Sequence, residues 1–170
     1  MYVIVNGLPG SGKTALAVSI SKKLGWPVLE KDLFKEVLFD SMGVKDRDWS
    51  KKLGSVSIEL MYRVAMTMPN AILDSVFDRR FAPKDLKRLQ TPIVEVYCDC
   101  PPEIAAQRFS ERQRSGRHDG HISGGVDFTD WISKAGEPLA IGATLRVDTT
   151  KPVNICEIVS WISNSKQMKD

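Results

Sequence analysis

The sequence predicts an α/β fold built on one five-stranded, mainly parallel sheet with helices on both faces. Short β-branched runs alternate five times with amphipathic stretches, which is the pattern of strand-helix-strand crossovers. The first such pair, Val3-Ile4-Val5 and the stretch from Ala15 to Ile20, is joined by Gly7-Leu8-Pro9-Gly10-Ser11-Gly12-Lys13-Thr14. Those eight residues fit G-x-x-x-x-G-K-[ST] at every fixed position, in the strand-loop-helix setting that gives the pattern meaning.

Such a loop wraps its backbone around phosphates. Glycines sit where a side chain would block close approach, so amide N–H groups can point inward. The helix that follows adds its unpaired N–H groups and the positive end of its dipole. Lys13 can place an ammonium between β- and γ-phosphates, and the Thr14 hydroxyl can ligand Mg²⁺. ATP with Mg²⁺ is therefore the expected occupant of Gly7 to Thr14. A shorter pattern, G-x-G-x-x-G/A, also fits Gly10 to Ala15, with Glu30 where a ribose-binding acid would be sought. It requires neither Gly7 nor the Lys-Thr pair, and 170 residues leave little room for a substrate domain beside a dinucleotide fold.

The bulk composition is that of an ordinary globular chain, and one domain over residues 1–170 is expected. A net charge of +3 suits anionic ligands but is far from that of a protein that coats nucleic acid. Cys98, Cys100 and Cys156 are odd in number and lack the spacing of a zinc knuckle or redox pair, which fits reduced thiols. No stretch approaches the ~18 apolar residues of a membrane span, and a cytoplasmic, membrane-free protein is expected.

Leu16, Ile20 and Leu24 recur at helical spacing, and Gly25 with Pro27 ends that first helix. Val28-Leu29-Glu30 is expected as the second strand. Leu33, Phe34, Val37 and Leu38 then share one helical face, which places Asp32 at a strand-to-helix junction beside the ligand crevice of an open α/β sheet. Asp32 there is a helix cap, a site carboxylate, or both. Asp40-Ser41-Met42-Gly43 has the D-x-x-G shape found in GTPases but follows a helix, and reads as a helix C-terminus. Val44 to Ser50 reads as a loop, after which Leu53, Val56, Leu60, Val64 and Met68 mark a long amphipathic helix.

Ala71-Ile72-Leu73 is the third strand and ends in Asp74-Ser75. A carboxylate at that strand end can hold a metal-bound water or a substrate hydroxyl, or can simply bond loop amides. Val76 to Phe81 is a loop, with Phe77 and Arg79 expected to touch the second substrate together with Lys35, Asp74 and Ser75. A short helix over Pro83 to Leu89 leads to the strongly β-branched strand Ile93 to Cys98. The next helix opens at Pro102 or Glu103 and carries Arg108 and Arg112 one turn apart. Arg114 and Arg117 follow in a glycine-punctuated segment, so residues 108–125 are expected to form an arginine-bearing lid whose guanidinium forks bridge phosphoryl oxygens. His118 and His121 have no convincing third metal ligand. Thr144 to Asp148 is the fifth strand, and Ile155, Ile158, Val159 and Ile162 share the face of a last helix.

Taken together, Gly7 to Thr14, Lys31-Asp32 followed by Lys35, Asp74-Ser75 after the third strand, and Arg108 and Arg112 with Arg117 beyond resemble one group of small P-loop kinases. That group includes chloramphenicol phosphotransferase, zeta toxins and the kinase half of phage polynucleotide 5′-hydroxyl kinase. The resemblance implies a P-loop NTPase three-layer sandwich of the nucleoside-monophosphate-kinase type, with strand order 2-3-1-4-5 and a small lid. It implies further that Asp32 takes the proton from an acceptor hydroxyl, that Lys13, Arg108 and Arg112 surround the transferred phosphoryl group, that Arg117 contacts nucleotide, and that Thr14 ligands Mg²⁺.

The expected reaction moves the γ-phosphoryl group of ATP to a hydroxyl of a small molecule such as an antibiotic, sugar, nucleoside or nucleotide-sugar. A polynucleotide acceptor is disfavoured, because no basic groove interleaved with aromatic residues is visible. The competing expectation is a nucleotide-dependent ATPase or switch that acts on a protein partner.

Overall fold

The computed structural model describes residues 1–111 and 128–167. In chain order the elements are β1 (Tyr2–Asn6), α1 (Lys13–Leu24), β2 (Val28–Glu30), α2 (Lys31–Met42), α3 (Arg47–Ala65) and β3 (Ala71–Asp74). Then come α4 (Ala82–Leu86) with a 3₁₀ turn over Lys87–Leu89, β4 (Ile93–Asp99), α5 (Pro102–Glu111), α6 (Phe128–Ala135), β5 (Ala143–Asp148) and α7 (Ile155–Gln167).

The strands lie in the order β2-β3-β1-β4-β5 and every neighbouring pair is parallel. This arrangement discriminates between the two readings of the glycine loop. A dinucleotide fold places β2 beside β1, whereas here β3 lies between them. The G-x-G-x-x-G/A reading is thereby set aside.

Strand alternation builds two cores. Val3 and Val5 of β1 pack with Leu16, Ala17 and Ile20 of α1 and with Ile158 and Ile162 of α7. Tyr2 and Ile4, one residue out of phase, face Met61, Tyr62 and Ala65 of α3 and Leu86 of α4 on the other side of the sheet. All five residues of β1 are buried, as expected for a central parallel strand covered twice. The Tyr2 hydroxyl is also satisfied, donating to the Ala65 carbonyl at 2.7 Å.

Two helices depart from the sequence expectation. Helix α3 begins at Arg47, inside the stretch read as a loop, because the Asp46 carboxylate accepts the Trp49 N–H at 2.8 Å and caps it. In α2 the expected face is split: Leu33 and Val37 are 56% and 58% exposed, while Phe39 is buried. Helix α2 flanks the short edge strand β2 and packs against α3, so it turns toward α3 the side that carries Phe39 and Phe34. The D-x-x-G segment ends α2 as expected, with the Gly43 N–H donating to the Phe39 carbonyl at 2.9 Å.

One buried carboxylate ties the strands to the loops beside the ligand crevice. Glu95 on β4 is fully buried and accepts from Asn6 Nδ2 at 3.1 Å, from the Leu139 and Ala140 N–H groups at 3.0 and 3.1 Å, and from Thr144 Oγ1 at 3.3 Å. Asn6 in turn accepts the Phe77 N–H on its Oδ1 at 3.1 Å, so β4 holds the segment that follows β3 through the last residue of β1. Glu95→Ala is expected to lower unfolding free energy by about 2–4 kcal/mol in denaturant titration, because it strands several buried donors at once.

Candidate active site

The glycine loop leaves β1 and enters α1 at the carboxyl end of the sheet. Gly12 occupies the N-cap of α1 at φ 88°, a left-handed conformation that leaves the helix N–H groups facing outward. Gly10 has a different reason to be glycine. A Cβ there would lie 2.1 Å from the Ala105 carbonyl oxygen and 2.9 Å from the Phe109 nitrogen, so the loop packs directly against the backbone of α5. Leu8 is buried against Cys100 and Ala105 and anchors the loop from below.

A cavity of about 350 Å³ opens over this loop, lined by Pro9, Gly10, Gly12, Lys13 and Thr14 together with Asp32, Asp74, Arg108 and Trp131. Of the eight motif residues, Gly7, Leu8 and Ser11 are buried beneath it and are not among its lining. Lys13 is 9% exposed, and its Nζ donates to the Leu8 carbonyl at 2.7 Å, which folds the side chain back over the loop.

Thr14 and Asp74 meet. The Thr14 hydroxyl donates to Asp74 Oδ2 at 2.5 Å, joining the first residues of α1 to the end of β3. The β1–β3 pairing causes this, since Val5 and Asp74 are register partners and Thr14 lies just beyond the loop. A hydroxyl and a carboxylate in contact beside a phosphate loop form a hard-oxygen pair of the kind Mg²⁺ accepts alongside phosphate oxygens and water. The residues therefore fit that ion. Among the described residues no three His, Cys, Asp or Glu converge into an all-protein metal cage.

Asp32 stands across the cavity from the loop as the second residue of α2. Glu30, not Asp32, holds the N-cap position, which removes the capping interpretation in its simplest form. The Asp32 side chain is 61% exposed and pairs with Lys31 Nζ at 3.2 Å. Arg108 reaches the rim from α5, donating from one terminal guanidinium nitrogen to the Thr149 carbonyl at 3.1 Å. Arg112, Arg117, His118 and His121 lie outside the described residues, as does most of the expected 108–125 lid.

A second and larger cavity, about 1090 Å³, adjoins the first and shares Lys31, Lys35, Ser75, Val76 and Trp131 with it. Its walls come from α2, α3, the segment after β3, α4 and α6. Of the expected second-substrate residues, Lys35 and Ser75 line both cavities and Asp74 lines the smaller one. Phe77 borders the larger cavity, but only 1% of it is exposed and its ring belongs to the α3 core. Arg79 is a correction. It is exposed and lines neither cavity, because its N–H donates to the Lys134 carbonyl and the chain presents Arg80 to the cavity instead. Trp131, which touches both cavities, carries no local signature in the sequence; packing beside Leu8 and Cys100 puts it there.

Ion pairs stiffen the larger cavity. Arg88 makes two bonds to Glu59, at 2.9 and 3.0 Å, and Arg63 makes a third, so the Glu59 carboxyl is pulled down to about 2. Arg80 grips Asp78 in the same forked way and lowers its pKa. Burial under the glycine loop pushes the Cys98 thiol up to about 12, which leaves it a packing group rather than a nucleophile.

The sequence profile of the AAA domain family matches residues 3–125. The chain belongs to that family. Among solved structures, a provisionally named kinase from Chloroflexus aurantiacus J-10-fl is 30% identical with a TM-score of 0.84, over 96% of this chain and 97% of that one. A gluconokinase from Sinorhizobium meliloti is 17% identical with a TM-score of 0.64, covering 98% and 92% of the two chains. A shikimate kinase from Aquifex aeolicus is 16% identical with a TM-score of 0.61, covering 98% and 96%. This AAA domain thus has the fold of small P-loop kinases, with the β2-β3-β1-β4-β5 order that the resemblance implied. No curated protein sequence matches the chain. No helix among the described residues is long and apolar enough to cross a membrane.

Proposed function

We propose that the protein is a single-domain, cytoplasmic ATP-dependent phosphotransferase that moves the γ-phosphoryl group of ATP to a hydroxyl of a small molecule. Within the kinase fold we place it nearest the group of chloramphenicol phosphotransferase, zeta toxins and polynucleotide 5′-hydroxyl kinase. The observation that carries the reading is the union of two cavities, one over a phosphate loop and one large enough for a second substrate, with Asp32 on the wall of the first.

The loop amides and Lys13 bind the triphosphate, and Lys13 reaches the oxygens between the β- and γ-phosphorus atoms. The Thr14 hydroxyl and the Asp74 carboxylate would hold Mg²⁺, which when bound supplies positive charge to the phosphate oxygens. Arg108, already tethered at the rim through Thr149, adds a guanidinium as charge builds on the transferred group, and Arg112 and Arg117 extend that cation set. Asp32 accepts the proton of the acceptor hydroxyl as the O–P bond forms and the bond to ADP breaks. Lys31 Nζ lies 3.2 Å from the Asp32 carboxylate and helps to orient it. Lys35 and Ser75, which face both cavities, orient the acceptor.

The test is ADP release from labelled ATP with pooled hydroxyl compounds, with the product identified by mass. Stimulation by a small hydroxyl compound and a mass gain of one phosphoryl group are expected. Stimulation only by a protein would replace this reading with that of an ATP-driven switch.

A further inference from the structure

Among the described residues the larger cavity is lined by eight lysine and arginine side chains, Lys35, Arg47 and Lys31 among them, against four carboxylates. The carboxylates are engaged from within the wall. Glu59 is gripped by Arg88 and Arg63, Asp78 by Arg80, and Asp130 by Lys134, while Asp85 lies in the field of Arg88. Lys31 and Lys51 pair in turn with Asp32 at 3.2 Å and Asp48 at 3.0 Å, so among the described residues an excess of two positive charges remains around a concave surface, where field lines concentrate more than on a convex one.

Two of these cations are built into the wall rather than extended into water. The Lys31 side chain is 21% exposed and its ammonium lies over Gly54 of α3, 3.9 Å from where a Cβ would sit. The ammonium thus packs at ordinary contact distance over the α3 backbone at Gly54. Lys35, one turn along α2, donates to Ser50 Oγ at 2.9 Å and lies 5.2 Å above the Phe39 ring. Ser50 is three residues beyond Arg47 on α3, so Lys35 and Arg47 border the same stretch of wall, just past the passage from the phosphate-loop cavity. Trp131 at the passage and Phe81, 62% exposed on α4's approach, offer flat apolar surface to the body of a bound molecule.

We propose that the acceptor is an anion: a small hydroxyl compound that carries a phosphate or carboxylate group, held by Lys35 and Arg47 while its hydroxyl reaches Asp32. This rests on the phosphotransferase reading and deepens it. A neutral polyol would leave the charge excess unmatched. An anionic acceptor satisfies it and is steered into the passage.

The experiment pairs each neutral hydroxyl compound with an anionic counterpart, glucose with gluconate and with 6-phosphogluconate, and adenosine with AMP. The wild-type protein is compared with Lys35→Gln and Arg47→Gln. The anionic member is expected to have a kcat/KM at least about tenfold higher, and each variant to lose about tenfold on the anion, Arg47→Gln without loss on the neutral member, with ATP affinity unchanged. Whether the phosphate or the carboxylate arm responds identifies the anion. Equal use of a neutral acceptor, or a preference that survives in both variants, overturns the proposal and leaves the kinase reading intact. If no compound is phosphorylated although ATP binds, the kinase reading fails. The same anions are then titrated into the full chain loaded with a non-hydrolysable ATP analogue. Saturable binding weakened about tenfold in the variants upholds an anion site, and no binding overturns it.

Discussion

Lys13→Ala is expected to lower phosphoryl transfer by at least about 10²–10³-fold and to weaken ATP binding by about tenfold or more. Lys13 is 9% exposed and its ammonium already donates to the Leu8 carbonyl, so it needs little reorganisation to turn onto phosphate oxygens. Charge grows on those oxygens during transfer, and a fixed cation in a partly dry cavity stabilises the transition state more than the ground state. The kinetic loss should therefore exceed the binding loss. Lys13→Arg is not a rescue, because a planar five-donor fork cannot occupy the volume of a compact ammonium folded over the loop. The fold should persist, since Lys13 lines the cavity and belongs to none of the hydrophobic core clusters. Calorimetry with ATP and Mg²⁺, single-turnover transfer and a melting curve on the same preparation separate these effects. Near-wild-type transfer by a folded Lys13→Ala protein would show that the loop does not hold the reacting triphosphate.

How much of this was legible in the chain depends on whether the deciding interactions are local. β1 and β4 are β-branched runs buried on both faces, so composition alone marks them, and the Gly7 to Thr14 loop is a contiguous pattern with a backbone requirement at nearly every position. The start of α3 was missed because its signal is one capping carboxylate, Asp46, within a polar stretch. The buried side of α2 was misjudged because Leu33 to Phe39 is apolar around more than half the helix, and only contact with α3 selects Phe39 over Leu33 and Val37. The site divides in the same way. Asp32 could be placed from the β2–α2 junction, and the Asp74 contact with Thr14 follows from β1–β3 register. Glu95 and Trp131 act through partners more than thirty residues away in the chain, and the one-residue difference between Arg79 and Arg80 turns on a backbone bond to Lys134.

Asp32→Asn is expected to leave ATP affinity near the wild-type value and to reduce transfer by about 10²–10⁴-fold, the usual worth of a positioned general base. The variant keeps the shape and polarity of the side chain but cannot take a proton. A purely structural carboxylate at this position would behave differently. Asp32 sits in the first turn of α2, where a negative charge is worth only about 0.3–1 kcal/mol with the helix dipole, and its pair with Lys31 is surface-exposed. Losing those contributions would shift the melting temperature slightly and leave the chemical step alone. The two roles therefore separate in one comparison, with kcat and melting temperature measured on Asp32→Asn and on Asp32→Glu. The glutamate variant retains a base but displaces it by one methylene, so partial recovery of kcat over Asp32→Asn is expected. Transfer by Asp32→Asn at the wild-type rate, with a lowered melting temperature, would reduce Asp32 to a helix-stabilising residue and require another proton acceptor on the wall of the phosphate-loop cavity, where among the described residues Glu30 and Asp74 are the other carboxylates.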